Sequence, residues 1–108
     1  LKSFDQIILP KILEKRNHVY HLYVCRYKNR DILIDFFKER EIDVLIHYPI
    51  PIHLQGAYRY LGYSKGTFPV SEKIAKEIFS LPLFPGIKDA EIQRVKSVME
   101  EFLETMKL

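Results

Sequence analysis

The sequence predicts a small α/β (α+β) domain in which helices cover a sheet of about three strands. Three observations predict this fold class: runs of β-branched and aromatic residues, apolar residues at helical spacing, and Gly and Pro gathered in two zones. The chain has 108 residues, of which 47% are hydrophobic and 29% charged, as is typical of a globular domain. We therefore expect a single domain over residues 1–108 with one modest core.

The first half of the chain predicts a strand, a helix and a second strand. Residues 18–26 are rich in β-branched and aromatic residues and predict the first strand. In residues 30–40 apolar side chains recur at helical spacing, and Asn29 is a candidate cap for this helix. Residues 42–47 have the β-branched content of a second strand, which must end before Pro49 because proline removes a backbone donor.

After an irregular stretch, the second half predicts a helix, a short strand and a long helix. Residues 69–79 carry an apolar stripe behind an N-terminal proline and predict the second helix. Residues 80–84 predict an edge strand, because Pro82 cannot donate to a neighbouring strand. Asp89 then caps a long amphipathic helix whose apolar residues return every three or four positions: Ile92, Val95, Val98 or Met99, and Phe102.

Charge and cysteine content exclude several classes of function. The formal net charge is only +3, whereas a nucleic-acid-binding protein typically carries a dense stripe of Lys and Arg. The lone Cys25 excludes an internal disulfide and a cysteine-based zinc cluster, and it fits a reducing cytoplasm. The apolar runs are too short to span a bilayer. We expect a cytoplasmic protein with no nucleic-acid or membrane partner and, because the chain opens on Leu1 without a Met, a fragment of a longer protein.

The loop that follows the predicted second strand is the candidate functional site. Two prolines stiffen this loop, so the polar and aromatic side chains on it are held in place at low entropic cost. Such side chains can hydrogen-bond sugar hydroxyls or phosphate oxygens and can stack on a ring. The candidate substrate-binding residues are His47, Tyr48, His53, Gln55 and Tyr58.

Each of these residues also has a structural interpretation. A histidine at the end of a strand more often has a structural role than a functional one. The tyrosines can simply pack against the rest of the loop. The two histidines do not predict a metal site, because no carboxylate or cysteine lies within the loop at suitable spacing. A small hydrolase using His47 or His53 would need an acidic partner, and along a strand Asp43 lies about 13 Å from His47.

Several ordered motifs carry a resemblance to a known family. They are HVYHLYV at 18–24, the Arg30-Asp31 helix start, IHYPIPIHLQ at 46–55, AY at 57–58, LGY at 61–63, FPVSE at 68–72 and SLPLFP at 80–85. Together they resemble the C-terminal part of the nucleotide-sugar aminotransferases of the DegT/DnrJ/EryC1/StrS family over nearly the whole chain. Gly56 departs from the pattern, in which we expect a proline after the glutamine.

The resemblance implies a fold-type I, pyridoxal-phosphate-dependent enzyme. Such an enzyme transfers an amino group, usually from glutamate, to a keto sugar carried on a nucleoside diphosphate, and the closest pattern is that of members that aminate a 3-keto sugar. The implied place of this chain is the C-terminal small domain of a homodimeric enzyme. A large domain outside this chain would then hold the pyridoxal phosphate and supply the catalytic lysine, so the chain alone would be inactive and would contribute no catalytic or cofactor-binding residue.

The resemblance also assigns roles to the candidate residues. His47 and Tyr48 would point into the cleft near the sugar, while His53 and Gln55 would border the path of the nucleotide sugar and Tyr58 would buttress the loop. We then expect an exposed apolar patch larger than a few hundred Å², with residues from 1–10 and from the loop at 47–55, where a large domain would pack. The alternative is a free-standing, non-catalytic module that binds nucleotide sugar or mediates dimerisation.

Overall fold

The structure is a computed structural model that describes residues 5–107 of the chain. It confirms a small α/β fold. In chain order the elements are β1 (Tyr23–Arg26), α1 (Arg30–Lys38), 3₁₀ turns at Ile52–Leu54 and Gly56–Leu61, α2 (Pro69–Glu77), β2 (Ile78–Leu81) and α3 (Asp89–Met106).

The sheet formed by the described residues has two strands rather than about three. β1 and β2 pair antiparallel, with Val24 opposite Ser80. The predicted strand over residues 42–47 is wrong: this segment makes only a single antiparallel bridge, between Leu45 and Ser80. The segment begins directly after the turn that ends α1, in which Glu41 has a left-handed backbone with φ of 59° and the N–H of Ile42 donates to the carbonyl of Phe37, so its first residue is bonded to the end of the helix and not to a strand.

β1 is also shorter than the strand predicted over residues 18–26. Tyr20 has a positive φ of 51°, and its backbone N–H donates to Nδ1 of His18 over 2.8 Å. The His18 side chain thus accepts the backbone N–H of Tyr20, which in a strand would donate to a neighbouring strand. The aromatic and β-branched composition correctly predicted a strand, but this local turn delays its start to Tyr23.

The boundary between α2 and β2 lies two residues earlier than the sequence predicts. Ile78 already has extended backbone, and its carbonyl oxygen accepts from Nη1 of the buried Arg30 over 2.8 Å. The same nitrogen donates to the carbonyl of Ala75 over 2.9 Å, so one guanidinium caps the end of α2. Ile78 and Phe79, predicted to extend the helix, pair with β1 instead.

The two predicted helix caps act differently from the expectation. Asn29 occupies the N-cap of α1, but its side chain makes no capping hydrogen bond. Asp89 is the first residue of α3, and Lys88 is the N-cap. The carboxylate of Glu91 accepts the N–H of Lys88 over 2.8 Å, so a residue inside the helix satisfies the terminal donor.

The core lies between the sheet and the inner faces of α1 and α3. Its fully buried side chains are Phe37, Phe79, Phe102, Leu33, Met99, Val98 and Cys25. Phe102 contacts Phe36 and Tyr27 edge-on, with ring centroids 5.2 and 5.4 Å apart. Ile92, predicted on the buried stripe of α3, is 44% exposed because it precedes the part of the helix that meets the core.

No described helix is both long and apolar enough to cross a membrane.

The burial of Cys25 predicts an unreactive thiol. Its side chain is fully buried, and burial raises its pKa to about 12, so almost no thiolate exists near neutral pH. The native chain should therefore react with a thiol reagent more than about a hundredfold more slowly than the urea-unfolded chain at the same pH. Native and unfolded chains that react at equal rates would show that the core around Cys25 is open.

Candidate functional site

His47 is fixed to the sheet at the point where the loop begins. Its Nδ1 lies 2.9 Å from Oγ of Ser80, a buried residue of β2. The backbone N–H of Ser80 donates to the carbonyl of Leu45 over 2.7 Å, and the N–H of Leu45 donates back over 3.3 Å. Side-chain and backbone contacts to one serine therefore hold both the entry to the loop and its first histidine.

Ser80 is a residue that the sequence reasoning missed. The available signal was a single polar residue within the otherwise apolar run from Ile78 to Leu83. The histidine–serine pair is not an exposed hydrolytic pair, because Ser80 is only 4% exposed and a substrate cannot reach its hydroxyl.

Tyr48 presents its ring at the surface beside His47. Its side chain is 70% exposed, and the two rings meet edge-on with centroids 5.4 Å apart and planes at 84°. A half-buried imidazole and an exposed phenol thus stand together at the start of the loop.

His53 is buried beneath the loop, in the first 3₁₀ turn. Its ring meets Phe68 edge-on at 4.9 Å, and its Nε2 lies 3.5 Å from Oε2 of Glu72. Within residues 5–107 this nitrogen has no hydrogen-bond partner, although it is fully shielded from solvent. His53 therefore has an acidic neighbour, Glu72 of α2, which the sequence analysis did not consider when it weighed Asp43 as a partner for His47.

Glu72 ties the turn before α2 to the base of the loop. Its buried carboxylate accepts the backbone N–H of Gly66 over 2.7 Å and that of Phe68 over 3.2 Å. These donors, that of Gly66 foremost, together with His53 outweigh burial and lower the pKa of Glu72. Sequence reasoning quoted Glu72 within a motif but gave it no role; its signal was an acid in the first turn of a helix behind proline.

Gln55 and Tyr58 lie at the far end of the loop. Nε2 of Gln55 donates to the carbonyl of Ile50 over 3.1 Å, which closes the loop on itself. The backbone N–H of Tyr58 donates to the carbonyl of Gln55 over 3.0 Å, and the side chain of Tyr58 is 39% exposed.

An open groove of about 570 Å³ lies between the loop and α2. Three of the five predicted site residues, Tyr48, His53 and Gln55, line this groove with the aromatic rings of Tyr63 and Phe68. His47 and Tyr58 are not among its lining residues. The structure therefore brings most of the predicted residues to one surface, with His47 adjoining it through Tyr48.

In the described part of residues 1–10, where we expected a partner domain to pack, Ile8 is the one exposed large apolar side chain, since Ile7 is buried and Leu9 is half-buried. Ile8 is 49% exposed, and Ile12 and Leu13, which lie just beyond the expected segment, are exposed as well. On the loop Ile50 and Ile52 are exposed beside Tyr48. Residues 1–4, which the expectation included, lie outside the described part of the chain.

The described residues do not fit a pyridoxal phosphate site. Such a site needs a lysine for the cofactor aldehyde and a charged partner for its pyridine nitrogen in one enclosed pocket. Apart from Lys96, every lysine among residues 5–107 is exposed. Lys96 lines a cavity of about 400 Å³ together with Tyr23, Gln93 and apolar side chains, and no acid or arginine lines it. The same residues form no group of three or more side chains suited to holding a metal ion.

Comparison with known proteins identifies the family to which the chain belongs. A family model described as the DegT/DnrJ/EryC1/StrS aminotransferase family matches residues 1–100. The chain belongs to the DegT/DnrJ/EryC1/StrS aminotransferase family. The family is pyridoxal-phosphate-dependent.

Individual relatives agree with this membership. The chain is 43% identical over 98 residues to the "pleiotropic regulatory protein" of Geobacillus stearothermophilus, covering 91% of this chain and 26% of that protein. It is 38% identical over 96 residues to the dTDP-3-amino-3,6-dideoxy-alpha-D-galactopyranose transaminase of Aneurinibacillus thermoaerophilus, covering 89% and 26%. The crystal structure of S. venezuelae DesV superposes with a TM-score of 0.88 at 33% identity, covering 93% and 27%. The chain thus spans about a quarter of the length of these relatives.

The contacts of Glu72 predict a pH-dependent contribution to stability. Because the folded-state pKa of Glu72 is lowered below its ordinary 4.5, its contribution is complete above that value and is lost as the pH falls through the folded pKa. Glu72→Gln should therefore destabilise the chain at neutral pH, and the difference from wild type should shrink under acid. Urea unfolding between about pH 3 and pH 7 measures it.

Glu100→Gln, which changes an exposed acid on α3, is the matched control and should cause little change at any pH. A destabilisation by Glu72→Gln that is the same at all pH values would contradict the proposed origin of the effect.

Proposed function

We propose that this chain is the C-terminal small domain of a nucleotide-sugar aminotransferase and forms one wall of the substrate cleft. The observation that carries the proposal is the family match over residues 1–100. In support, relatives are named as transaminases of dTDP-linked sugars and as a UDP-N-acetyl-3-dehydro-alpha-D-glucosamine 3-aminotransferase. The reaction we assign to the complete enzyme is transfer of an amino group from an amino acid, glutamate in our proposal, to a keto sugar on a nucleoside diphosphate.

In this proposal the cofactor lies on the larger part of the enzyme. Bound pyridoxal phosphate supplies the electron sink that allows an amino group to leave one carbon and join another. The residues of this chain neither hold the cofactor nor transfer protons, which agrees with the absence of a suitable lysine pocket among residues 5–107.

The contribution of the chain is to bind and orient the sugar. His47 is held by Ser80 and can offer its remaining ring nitrogen to a sugar oxygen, while the exposed ring of Tyr48 beside it offers an apolar face. Gln55 and His53 line the adjoining groove, which we assign to the path of the nucleotide sugar. Because these groups are already fixed in the loop, little ordering is needed when substrate binds.

The remaining assignments concern partners and location. Exposed apolar side chains at Ile8, Ile12 and Ile50 support packing of this domain against a larger one in the same enzyme. We place the complete enzyme in the cytoplasm as a homodimer, where its nucleotide-sugar substrate would be made. The buried, unpaired Cys25 is compatible with a reducing compartment.

The test is amination by the full-length product of the reading frame that encodes this chain. Incubated with pyridoxal phosphate, glutamate and a panel of dTDP- and UDP-linked keto sugars, it should form an amino sugar and 2-oxoglutarate. The 108-residue chain alone should neither shift the absorbance of added pyridoxal phosphate nor form product. Aldehyde capture by the 108-residue chain that responds to glutamate would overturn the division of labour proposed here.

In the full-length enzyme His47→Ala should raise the KM for the keto sugar about three- to tenfold, the loss of one hydrogen bond, while the cofactor stays bound. His21→Ala, which removes an exposed histidine outside the groove, is the matched control and should leave KM unchanged. Loss of the cofactor absorbance on His47→Ala would show that the residue belongs to the cofactor site instead.

A further inference from the structure

Ser80 lies in surroundings that leave its hydroxyl proton a single acceptor. The side chain is buried in the middle of β2, and both backbone polar groups of Ser80 are engaged by Leu45. Among residues 5–107 the only hydrogen-bond partner of its Oγ is Nδ1 of His47, at 2.9 Å. Because Ser80 as a whole is only 4% exposed, its hydroxyl has little access to water.

This arrangement decides which atom donates. If protonated Nδ1 of His47 donated to Ser80, the buried hydroxyl proton would have no described acceptor. A buried donor without a partner costs the full desolvation penalty, whereas a hydroxyl oxygen whose lone pairs are unused is tolerated more often. The hydroxyl of Ser80 therefore donates and Nδ1 accepts. A neutral imidazole that accepts at Nδ1 carries its proton on Nε2.

We propose that Ser80 is a positioning residue that fixes His47 in the Nε2–H form, so that His47 offers a hydrogen-bond donor to the sugar. The proposal rests on the proposed function for the identity of the ligand. Nε2 makes no hydrogen bond to another described residue, and the ring is half-buried beside the exposed Tyr48. An imidazole held in this form selects for an acceptor, namely a hydroxyl or carbonyl oxygen, at the position it faces.

The first test needs no activity. The 108-residue chain, labelled with ¹⁵N-histidine, is studied by NMR at about pH 8, above the ordinary histidine pKa of about 6.5. The resonances of His47 are assigned by their disappearance in His47→Gln. We expect an unprotonated Nδ1 and a protonated Nε2 in the wild type, a mixture of both neutral forms in Ser80→Ala, and recovery of the wild-type pattern in Ser80→Thr.

Two results would overturn the proposal: a protonated Nδ1 in the wild type, or an unchanged tautomer in Ser80→Ala. Ser97→Ala removes an exposed hydroxyl from α3 and serves as the control, which should leave the spectrum of His47 unaltered. If Ser80→Ala fails to fold, Ser80→Cys keeps the volume with a much weaker donor and should give the same shift toward a mixture.

The second test is a double-mutant cycle in the full-length enzyme. Ser80→Ala should raise the KM for the keto sugar about three- to fivefold with a smaller change in kcat, and should have no further effect when His47 is already Ala. If the fold-changes in KM caused by the two substitutions multiply in the double mutant, Ser80 acts independently of His47. That result would contradict the proposal. An enzyme without activity on any keto sugar would refute the proposed function, while the NMR result would still decide the role of Ser80.

Discussion

The pairing of Ser80 with Leu45 and His47 is the contact on which the candidate site depends. A two-stranded sheet has little stability of its own, and here it persists because all four residues of β2 are buried under helices. The same burial makes Ser80 a rigid support. Through one residue, the start of the loop is connected to the buried core, so the position of His47 depends on the core as well as on the loop's own sequence.

A second support fixes the other side of the loop. Glu72 accepts two backbone N–H groups from the turn before α2 and faces His53, so it fastens that turn to the base of the loop. Gln55 closes the loop through the carbonyl of Ile50. Polar side chains that are already fixed pay little entropy when a ligand binds, and this is the physical reason to regard the groove as a preformed recognition surface.

The sequence predicted the parts of the fold that depend on local periodicity. Apolar spacing located α1 and α3, and the two prolines marked the loop that carries His47. The strand expected over residues 42–47 failed because strand formation depends on a partner, and the structure supplies only one bridge, at Leu45. Ser80 escaped notice for the same reason: its contact with His47 joins residues 33 positions apart, and no local pattern reports such a contact.

The most direct test of the account is a crystal structure of the full-length enzyme with its nucleotide-sugar substrate or a non-reacting analogue. The measured quantity is the distance from Nε2 of His47 to the nearest sugar oxygen. The account predicts a hydrogen bond of about 3 Å, with Nδ1 still on Ser80 and Tyr48 against the sugar ring. A sugar bound elsewhere, with the loop packed against another part of the enzyme, would contradict it.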